Sequence, residues 1–212
     1  MAKIKVIKNG PYIALGKIPV NQQKTIYDSE GIPLKTKVVK NLSNDEESVL
    51  CRCGGSKNKP FCDGSHKKNG FDGTENPENL KEDPADTEVF EGPELTLQDT
   101  TRLCSGAGFC HRAGGVWNLT ENSDIPESKK IAVEICHCCP SGRLIAVDPK
   151  TGKPIEDKVD PAINIDFGPI NVKGEVDIES AEGKTYPKRP RRALCRCGKS
   201  RNKPFCDGSH FD

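Results

Sequence analysis

The sequence has little of what fills a large hydrophobic core. Hydrophobic residues make up 33% of its 212 positions and aromatic residues 5%, with one Trp and one Met. It is instead rich in Gly (20), Pro (16) and charged residues (30%), a mixture typical of short strands and turns. We therefore expect small modules whose cores are reinforced by a metal or an inorganic cofactor.

An excess of charge of one sign is also missing. Thirty-two Lys and Arg face 31 Asp and Glu, which leaves a formal net charge of +1. Such a chain has no overall field to attract nucleic acid or an anionic membrane, so we expect neither as a partner. A local group of basic residues is predicted to be a solvated strand edge. This group consists of Lys184, Lys188, Arg189, Arg191 and Arg192.

Long apolar runs are absent as well. No stretch approaches the length of a membrane span, and the N-terminal MAKIKVIKNG lacks the apolar core of a secretory signal. We expect a cytoplasmic protein in a reducing compartment, where clustered thiols bind metals more often than they form disulfides. The odd number of cysteines, 11, also argues against a fully paired disulfide framework.

The cysteines that are present fall mainly in a sixteen-residue motif that occurs twice. It reads CRCGGSKNKPFCDGSH at 51–66 and CRCGKSRNKPFCDGSH at 195–210, with fourteen positions identical. Each copy offers three thiols and one imidazole at the same spacing, which is a set of four ligands for a soft metal. The copies differ only at Gly55 and Lys57 against Lys199 and Arg201.

The segment in front of each motif is repeated too. GPYIALGKIPV at 10–20 has a partner in GPINVKGEVDI at 168–178, and both contain Gly-Pro-x4-Gly. Repetition of strand and site together indicates a duplicated module rather than a duplicated loop. In the first module we predict strands within 4–20 and on both sides of a turn at 28–33.

The last two ligands of each motif, a Cys and a His, are four positions apart. Residues at that spacing share one face of a helical turn, about 5–6 Å apart, so both can reach one metal centre. Asp63 and Asp207 are predicted to cap that turn. Zinc also accepts three Cys and one His, although zinc sites usually begin with C-x2-C rather than C-x-C. The residues alone therefore leave zinc and an iron–sulfur cluster open.

The full pattern, C-x-C-x2-S-x3-P-x-C-D-G-S-H, resembles the CDGSH (mitoNEET-type) family of iron–sulfur proteins. The resemblance implies one [2Fe–2S] cluster per motif and a family habit of pairing into strand-exchanged dimers. A His ligand in place of a thiolate removes a negative charge and raises the reduction potential, and its ring can also take a proton. The implied ligands are Cys51, Cys53, Cys62 and His66, and then Cys195, Cys197, Cys206 and His210.

The middle of the chain has its own cysteine pattern. VFEGPELTL, C-x5-C and CPSGRL resemble a divergent ferredoxin-like domain that binds a single cluster. Laid on the C-x2-C-x2-C frame, Cys104, Cys110 and Cys139 are ligands and Ala107 occupies the remaining ligand position. Three thiolates suit a [3Fe–4S] cluster, whereas a [4Fe–4S] cluster needs a fourth ligand. The options for that ligand are Cys136, Cys138, His111 and His137.

We therefore predict a small, β-rich α+β protein with three parts. They are a first CDGSH module at 1–73, a divergent ferredoxin-like domain at 84–150 and a second CDGSH module at 162–212. Linkers are predicted at 72–88 and 149–161, a helix at 127–138, and Trp117 as a core aromatic of the middle domain. The two CDGSH modules are expected to pack together as an intramolecular pseudo-dimer because each alone is short of apolar residues.

The function expected from this organisation is electron transfer by two [2Fe–2S] clusters and one [3Fe–4S] or [4Fe–4S] cluster. Partners would be a reductase, an electron acceptor or an apo iron–sulfur protein. No catalytic triad or phosphate-binding glycine loop is present, so we do not expect an enzyme. The alternatives are cluster storage and transfer, a redox or pH sensor, and a zinc-binding scaffold.

Overall fold

A computed structural model describes residues 2–81 and 83–212. Within these residues the chain forms twelve short strands and two α-helices. The strands are β1 (Lys3–Val6), β2 (Tyr12–Leu15), β3 (Val20–Tyr27), β4 (Pro33–Ser43), β5 (Glu47–Leu50), β6 (Glu88–Glu91), β7 (Thr96–Asp99), β8 (Leu144–Val147), β9 (Ala162–Ile165), β10 (Ile170–Lys173), β11 (Asp177–Glu179) and β12 (Arg191–Leu194). The helices are α1 (Val116–Glu121) and α2 (Pro126–Cys138). None of the described helices has both the length and the apolar character needed to cross a membrane.

The described strands form three sheets. Their orders are β11-β1-β2-β5, β12-β10-β9-β3-β4 and β6-β7-β8. The prediction of a small, β-rich protein is thus confirmed. The helix predicted at 127–138 is also present, and Pro126 occupies its first turn, where a missing N–H costs no hydrogen bond.

The first two sheets each take strands from both ends of the chain. β1 pairs in parallel with β11, placing Ile4 opposite Ile178. β3 pairs in parallel with β9, placing Val20 opposite Ile163. Because the Gly-Pro repeat makes β1 the counterpart of β9 and β3 that of β11, the two pairings are reciprocal.

One hydrophobic core lies between these two sheets and draws on both ends of the chain. Its fully buried members include Ile4, Tyr12, Val20, Leu50, Ile163, Ile170 and Leu194. Full burial of each such aliphatic side chain contributes about 1.5–3 kcal/mol. Both ends of the chain therefore contribute to one core, because each end alone has few apolar residues.

The hairpin of β3 and β4 extends beyond this core. Its turn is closed by Asp28, whose Oδ1 accepts hydrogen bonds from the backbone N–H groups of Glu30 and Ile32. The turn predicted at 28–33 is confirmed. β4 is an edge strand, and several of its side chains are exposed.

Residues 88–147 build a second core from the β6-β7-β8 sheet and the two α-helices. Buried contributions come from Leu95, Leu97, Leu119, Ile135 and Leu144. Trp117 packs against this core, as predicted, and its Nε1 donates to Asp99 Oδ2 at 3.2 Å. The VFEGPELTL segment is a hairpin, because Gly92-Pro93 turns the chain between β6 and β7.

Residues 72–88 are not the free connection that the predicted linker implied, because part of this segment packs against the second motif. Asn79 is buried, and its Nδ2 lies 3.1 Å from the carbonyl of Asn202 and 3.3 Å from that of Lys203. The backbone N–H of Asn76 donates to the same Lys203 carbonyl at 2.7 Å. Polar composition suggested a solvated connection, but here the polar groups satisfy the backbone of the second motif.

The basic group at 184–192 is only partly a solvated edge. Arg191 and Arg192 lie in β12 and are 5% exposed. Arg191 forms two hydrogen bonds with Glu156, at 2.6 and 2.8 Å, and donates from Nε to the carbonyl of Cys139. Burial of these guanidiniums is possible because each finds carboxylate or carbonyl partners. The prediction was therefore wrong for these two residues.

Candidate metal centres

The four predicted ligands of the first motif lie in two pairs. Cys51 Sγ is 4.0 Å from Cys53 Sγ, and Cys62 Sγ is 3.5 Å from His66 Nδ1. β5 ends at Leu50 and delivers the chain directly into Cys51. Two backbone hydrogen bonds then close the loop, from Cys51 N to Pro60 O and from Cys62 N to Val49 O.

Backbone amides point at two of these sulfurs. The N–H groups of Gly55 and Gly64 each lie 3.4 Å from a sulfur, that of Cys53 and that of Cys62 respectively. Amide donors of this kind stabilise a thiolate and, in cluster sites, raise the reduction potential.

The helical turn predicted between Cys62 and His66 differs in the structure. Gly64, with φ +85°, is the residue before a short 3-10 turn at Ser65–Lys67, and Asp63 does not cap a helix in the usual way. Its Oδ1 accepts from the hydroxyl and N–H of Ser65, and its Oδ2 from Lys57 N. These hydrogen bonds, led by the Ser65 hydroxyl, lower the pKa of Asp63. Asp63 thus ties the ligand turn to the preceding loop.

The second motif repeats the two pairs. Cys195 Sγ is 3.7 Å from Cys197 Sγ, and Cys206 Sγ is 3.4 Å from His210 Nδ1. The N–H groups of Lys199 and Gly208 again approach Cys197 Sγ and Cys206 Sγ, at 3.4 and 3.5 Å. No 3-10 turn is present here, so the pairing of Cys and His does not depend on one.

The thiols of this motif differ in acidity. The hydrogen bond from Cys195 and backbone N–H groups lower the pKa of Cys197 to about 6. Burial raises the pKa of Cys206 to about 11, and it also raises that of Cys51 in the first motif. Cys197 is therefore the thiol of its pair that loses its proton more readily, whereas burial opposes loss of the proton at Cys51 and Cys206.

The two motifs touch each other at their second cysteines. Cys53 and Cys197 form an isolated antiparallel β-bridge. A Cβ on Gly54 would strike the carbonyl oxygen of Cys197, and one on Gly198 would lie 2.8 Å from that of Cys53. Only glycine fits at these two positions, both because of this approach and because φ is +75° and +83°.

The support behind the two motifs is not equivalent. Tyr12 is buried and its hydroxyl lies 2.8 Å from the carbonyl of Cys195 and 3.0 Å from that of Pro204. In the repeat, Ile170 occupies the position of Tyr12, and an isoleucine has no hydroxyl to return this contact. Tyr12 therefore holds the second motif from the first half of the chain.

The two histidines also have different surroundings. His210 lies beneath Phe211 at 4.1 Å between ring centroids and near Phe167 at 5.7 Å, and its Nε2 packs on the backbone of Gly168. Burial, and then the charge of Arg196, lowers the pKa of His210. Among residues 2–81 and 83–212, no aromatic ring packs on His66 in this way.

An arginine lies between the first two cysteines of each motif. Arg52 is 1% exposed, donates to the carbonyls of Ile7 and Gly73, and stacks at 5.5 Å over the rings of Tyr12 and Phe71. Arg196 is less buried and donates to the carbonyls of Asp166 and Gly168. Of the two, only Arg196 brings its positive charge close to thiols, those of Cys51 and Cys197.

The central cysteines also come together. Cys104, Cys110 and Cys139 line one small cavity, and Ala107 lines the same cavity. Burial raises the pKa of Cys110, and the neighbouring thiols Cys104 and Cys139 raise it further. Three thiols and an alanine thus share the wall of one cavity.

The residues considered as a fourth ligand lie elsewhere. Cys136 is fully buried in the second core, Cys138 faces the carbonyl of Leu34, and His137 Nε2 lies 2.9 Å from the carbonyl of Ile155. His111 packs near Trp117 at 6.4 Å between ring centroids. None of these four lines the cavity of the three thiols.

A guanidinium completes the central site. Arg143 lines the cavity and forms two hydrogen bonds with the buried carboxylate of Asp99, at 2.5 and 2.7 Å. The Asp99 contact, followed by an interaction with the Cys104 thiol, raises the pKa of Arg143. A fixed positive charge thus faces the three thiols.

No three His, Cys, Asp or Glu side chains within 2–81 and 83–212 are grouped closely enough to hold a single metal ion. The donors instead occur in pairs in the two motifs and line a wider cavity in the centre.

Comparison with known protein families also identifies metal-binding regions in the chain. A family model described as "Iron-binding zinc finger CDGSH type" matches residues 9–67 and 167–211. A second model, "Divergent 4Fe-4S mono-cluster", matches residues 90–149 between them. The chain belongs to the CDGSH iron–sulfur family and carries a divergent 4Fe–4S domain between its two CDGSH regions.

Two curated mammalian proteins named "CDGSH iron-sulfur domain-containing protein 3, mitochondrial" resemble part of the chain. The Mus musculus protein is 49% identical over 39 residues, which is 18% of this chain and 24% of that protein. The Homo sapiens protein is 43% identical over 42 residues, which is 20% of this chain and 28% of that protein. The similarity thus spans about a quarter of each relative's length. No solved structure matches the chain.

Several residues near the sites were not predicted. Tyr12, Asn79 and the Asp99–Arg143 pair act across long stretches of sequence, so no local spacing reveals them. Of these residues, only Arg143 could have been found from the sequence, because it lies in the CPSGRL segment that resembles the divergent ferredoxin-like domain.

Proposed function

We propose that this chain is an electron-transfer protein with two [2Fe–2S] clusters and one [3Fe–4S] cluster. Cys51, Cys53, Cys62 and His66 would hold the first, and Cys195, Cys197, Cys206 and His210 the second. Cys104, Cys110 and Cys139 would hold the third. When bound, such clusters accept and release single electrons.

The observation that carries the proposal is the division of each CDGSH donor set into two pairs. A Cys–Cys pair and a Cys–His pair, each within 3.4–4.0 Å, occur in both motifs. Two irons need two protein ligands each, whereas one zinc ion needs four donors around a single point. The donor set and its pairing therefore fit a two-iron cluster.

The central site supports a three-iron cluster. Three thiols and Ala107 line its cavity, while Cys136 is turned into the hydrophobic core. Arg143 faces the thiols with a positive charge that offsets part of their negative charge. A fourth thiolate would require α2 to rotate, because Cys136 and Ile135 are both fully buried in the core.

The chain's residues would also tune the clusters. In each CDGSH motif a neutral imidazole replaces a thiolate, and two backbone N–H groups point at sulfur. Both features favour the reduced state and raise the potential. We propose no substrate chemistry for the chain and no catalytic residues.

We further propose that the two CDGSH modules form an intramolecular pseudo-dimer. The reciprocal pairings of β1 with β11 and β3 with β9 support it, as does the bridge between Cys53 and Cys197. The 4Fe–4S domain would then be an insertion that leaves from one module and returns to the other.

Metal analysis of protein purified without oxygen tests this function. The expected result is iron and acid-labile sulfide in the proportion of two [2Fe–2S] clusters and one [3Fe–4S] cluster. Oxidised protein should give the paramagnetic resonance signal of a [3Fe–4S] centre, which an oxidised [4Fe–4S] centre lacks. Stoichiometric zinc without sulfide would reject the proposal.

Cluster delivery is a second candidate, favoured by the exposure of the first motif. Its ligands Cys53, Cys62 and His66 are only partly buried, and the turn that carries His66 is largely exposed. Mixing the loaded protein with an apo ferredoxin distinguishes the two functions. Transfer of iron and sulfide to the acceptor supports delivery, whereas reduction of a loaded ferredoxin without loss of iron supports electron transfer.

A further inference from the structure

Four exposed lysines surround the first CDGSH motif. Lys57 and Lys59 lie in the loop before Cys62, and Lys67 and Lys68 follow His66. In the part of the chain that the structure describes, none of the four forms an ion pair. We refer to Lys57, Lys59, Lys67 and Lys68 as the lysine rim.

Contacts bring the two lysine-bearing segments side by side. The loop and the ligand turn are joined by the hydrogen bond from Lys57 N to Asp63 Oδ2 at 2.8 Å. A Cβ on Gly55 would lie 2.6 Å from Asn69 Nδ2 and 3.3 Å from Ser65 Cβ. The loop therefore runs directly beside the turn that carries His66 and leads into Lys67 and Lys68.

The second motif does not present such a surface. Its equivalent loop carries Lys199, Arg201 and Lys203, but Asn76 and Asn79 cover the backbone at 202–203. Lys203 Nζ is turned inward and donates to the carbonyl of Ser200 at 2.7 Å. Phe211 and Asp212 follow His210, where the first motif has two lysines. The first motif thus has four exposed lysines, whereas the second has two exposed basic residues, Lys199 and Arg201.

We propose that the lysine rim is the docking surface for an acidic electron-transfer protein. This inference rests on the proposed function and names the kind of partner that the first site would meet. Opposite charges accelerate encounter and orient the partner's redox group towards the exposed Cys62–His66 side. Because the charges are exposed, salt weakens their attraction over a Debye length of about 8–10 Å.

A protein fits this surface better than a nucleic acid. The lysine rim is a compact group of four charges on a chain whose net charge is only +1. Single-stranded nucleic acid is usually held by a basic groove with aromatic platforms for its bases. The exposed aromatic rings near a motif, Phe167 and Phe211, lie at the second motif instead.

The first experiment measures binding of a fluorescein-labelled decaglutamate peptide to the loaded full-length protein by anisotropy. The variant Lys57→Glu/Lys67→Glu should weaken binding about tenfold, since four units of charge change next to the peptide. The control is Lys24→Glu/Lys37→Glu, which reverses two exposed lysines that face each other across β3 and β4. This control makes the same change in net charge and should alter binding less than twofold.

Salt and a second polyanion complete the binding experiment. Affinity of the unaltered protein should fall when salt rises from about 20 to about 200 mM. Equal weakening in both double variants would show that only net charge matters and would overturn the proposal. Tighter binding of a labelled oligothymidylate of equal charge, lost in the same variant, would identify a nucleic-acid surface and overturn it as well.

A second readout uses small oxidants of opposite charge on dithionite-reduced protein. Ferricyanide takes one electron and its iron passes from Fe(III) to Fe(II), while hexaamminecobalt(III) takes one electron and becomes Co(II). Lys57→Glu/Lys67→Glu should slow reaction with the anion and speed reaction with the cation, whereas the control should leave both rates within twofold. If the protein contains no iron and sulfide, neither oxidant reacts and the proposed function fails, while the peptide experiment still decides on the lysine rim.

Discussion

The buried ion pair of Asp99 and Arg143 distinguishes the central site from the two CDGSH sites. Asp99 is 2% exposed, and it accepts hydrogen bonds from Arg143 and from Trp117. A guanidinium held in this way keeps a fixed orientation, unlike a flexible lysine. Its position at the wall of the three-thiol cavity makes it an electrostatic partner of whatever the thiols hold.

We expect Arg143→Gln to act on both stability and potential. Removing the cation leaves the Asp99 carboxylate buried without its ion partner, which costs about 3 kcal/mol in the free energy of unfolding. The reduction potential of the central site should become more negative by about 60 mV, the equivalent of ~1.4 kcal/mol for one electron. Urea unfolding and a spectroscopic redox titration measure the two effects.

The double variant Asp99→Asn/Arg143→Gln separates the two roles of Arg143. It removes the unpaired carboxylate, so part of the stability should return, while the loss of the Asp99 negative charge should return the potential only in part, because Arg143 lines the cavity and Asp99 does not. A potential that returns in full would mean that Arg143 has no electrostatic effect of its own on the central site.

Tyr12 provides a second prediction for a single residue. Tyr12→Phe removes a hydroxyl that donates to the carbonyls of Cys195 and Pro204, at a cost of about 1 kcal/mol. Amide hydrogen exchange measured by mass spectrometry should rise about fivefold in residues 195–206. It should change little in residues 51–62, which have no such donor, and an equal rise in both segments would contradict the asymmetry of the sites.

The candidate ligands can be recognised in the sequence because the spacing that groups them is local. Cys62 and His66 are four positions apart, and any compact turn brings them within reach of each other. The groups that support them are not local: Tyr12 and Cys195 are 183 positions apart. Such contacts depend on which strands pair, and short strands of four residues do not specify a partner by themselves.

At the scale of elements, the short 3-10 turn at Pro77–Leu80 determines how open the second motif is. Asn79 donates to two carbonyls of the motif loop, and its Oδ1 accepts from Arg102 Nη1 at 2.7 Å. The polar composition of residues 72–88 predicted a solvated linker. A buried polar segment is indistinguishable from such a connection by composition, because both lack apolar periodicity.

Asn79→Ala should therefore destabilise the second motif. It removes the side-chain donor from the carbonyls of Asn202 and Lys203, which keep backbone donors, and it removes the Oδ1 acceptor of Arg102, so the cost should be about 1 kcal/mol. The expected result is a lower unfolding midpoint in urea and faster hydrogen exchange in residues 199–206. Asn44→Ala, at an exposed loop amide, is the matched control and should have a far smaller effect.

At the scale of the molecule, the strand exchange predicts how the chain behaves when it is cut. Gly152 lies in an exposed turn with open space around it, so a protease site inserted there should not disturb the fold. After cleavage the two fragments should elute together in native sizing and separate only in denaturant, because β1–β11 and β3–β9 join them. Fragments that separate in native buffer would contradict the pseudo-dimer.

The same strand pairing has a consequence for biosynthesis. Lys3 and its partner Glu179 are 176 positions apart, so β1 has no neighbour on that side until the far strand has left the ribosome. At about 5–20 residues per second that wait lasts between about 9 and 35 s. His66 precedes Glu179 by 113 residues, so for about 6–23 s of that wait the first motif is already translated, with three thiols and an imidazole open to any free metal in the cell. Correct loading then depends on timing: either iron and sulfide arrive only after the last strand, or a chaperone shields the early thiols until then.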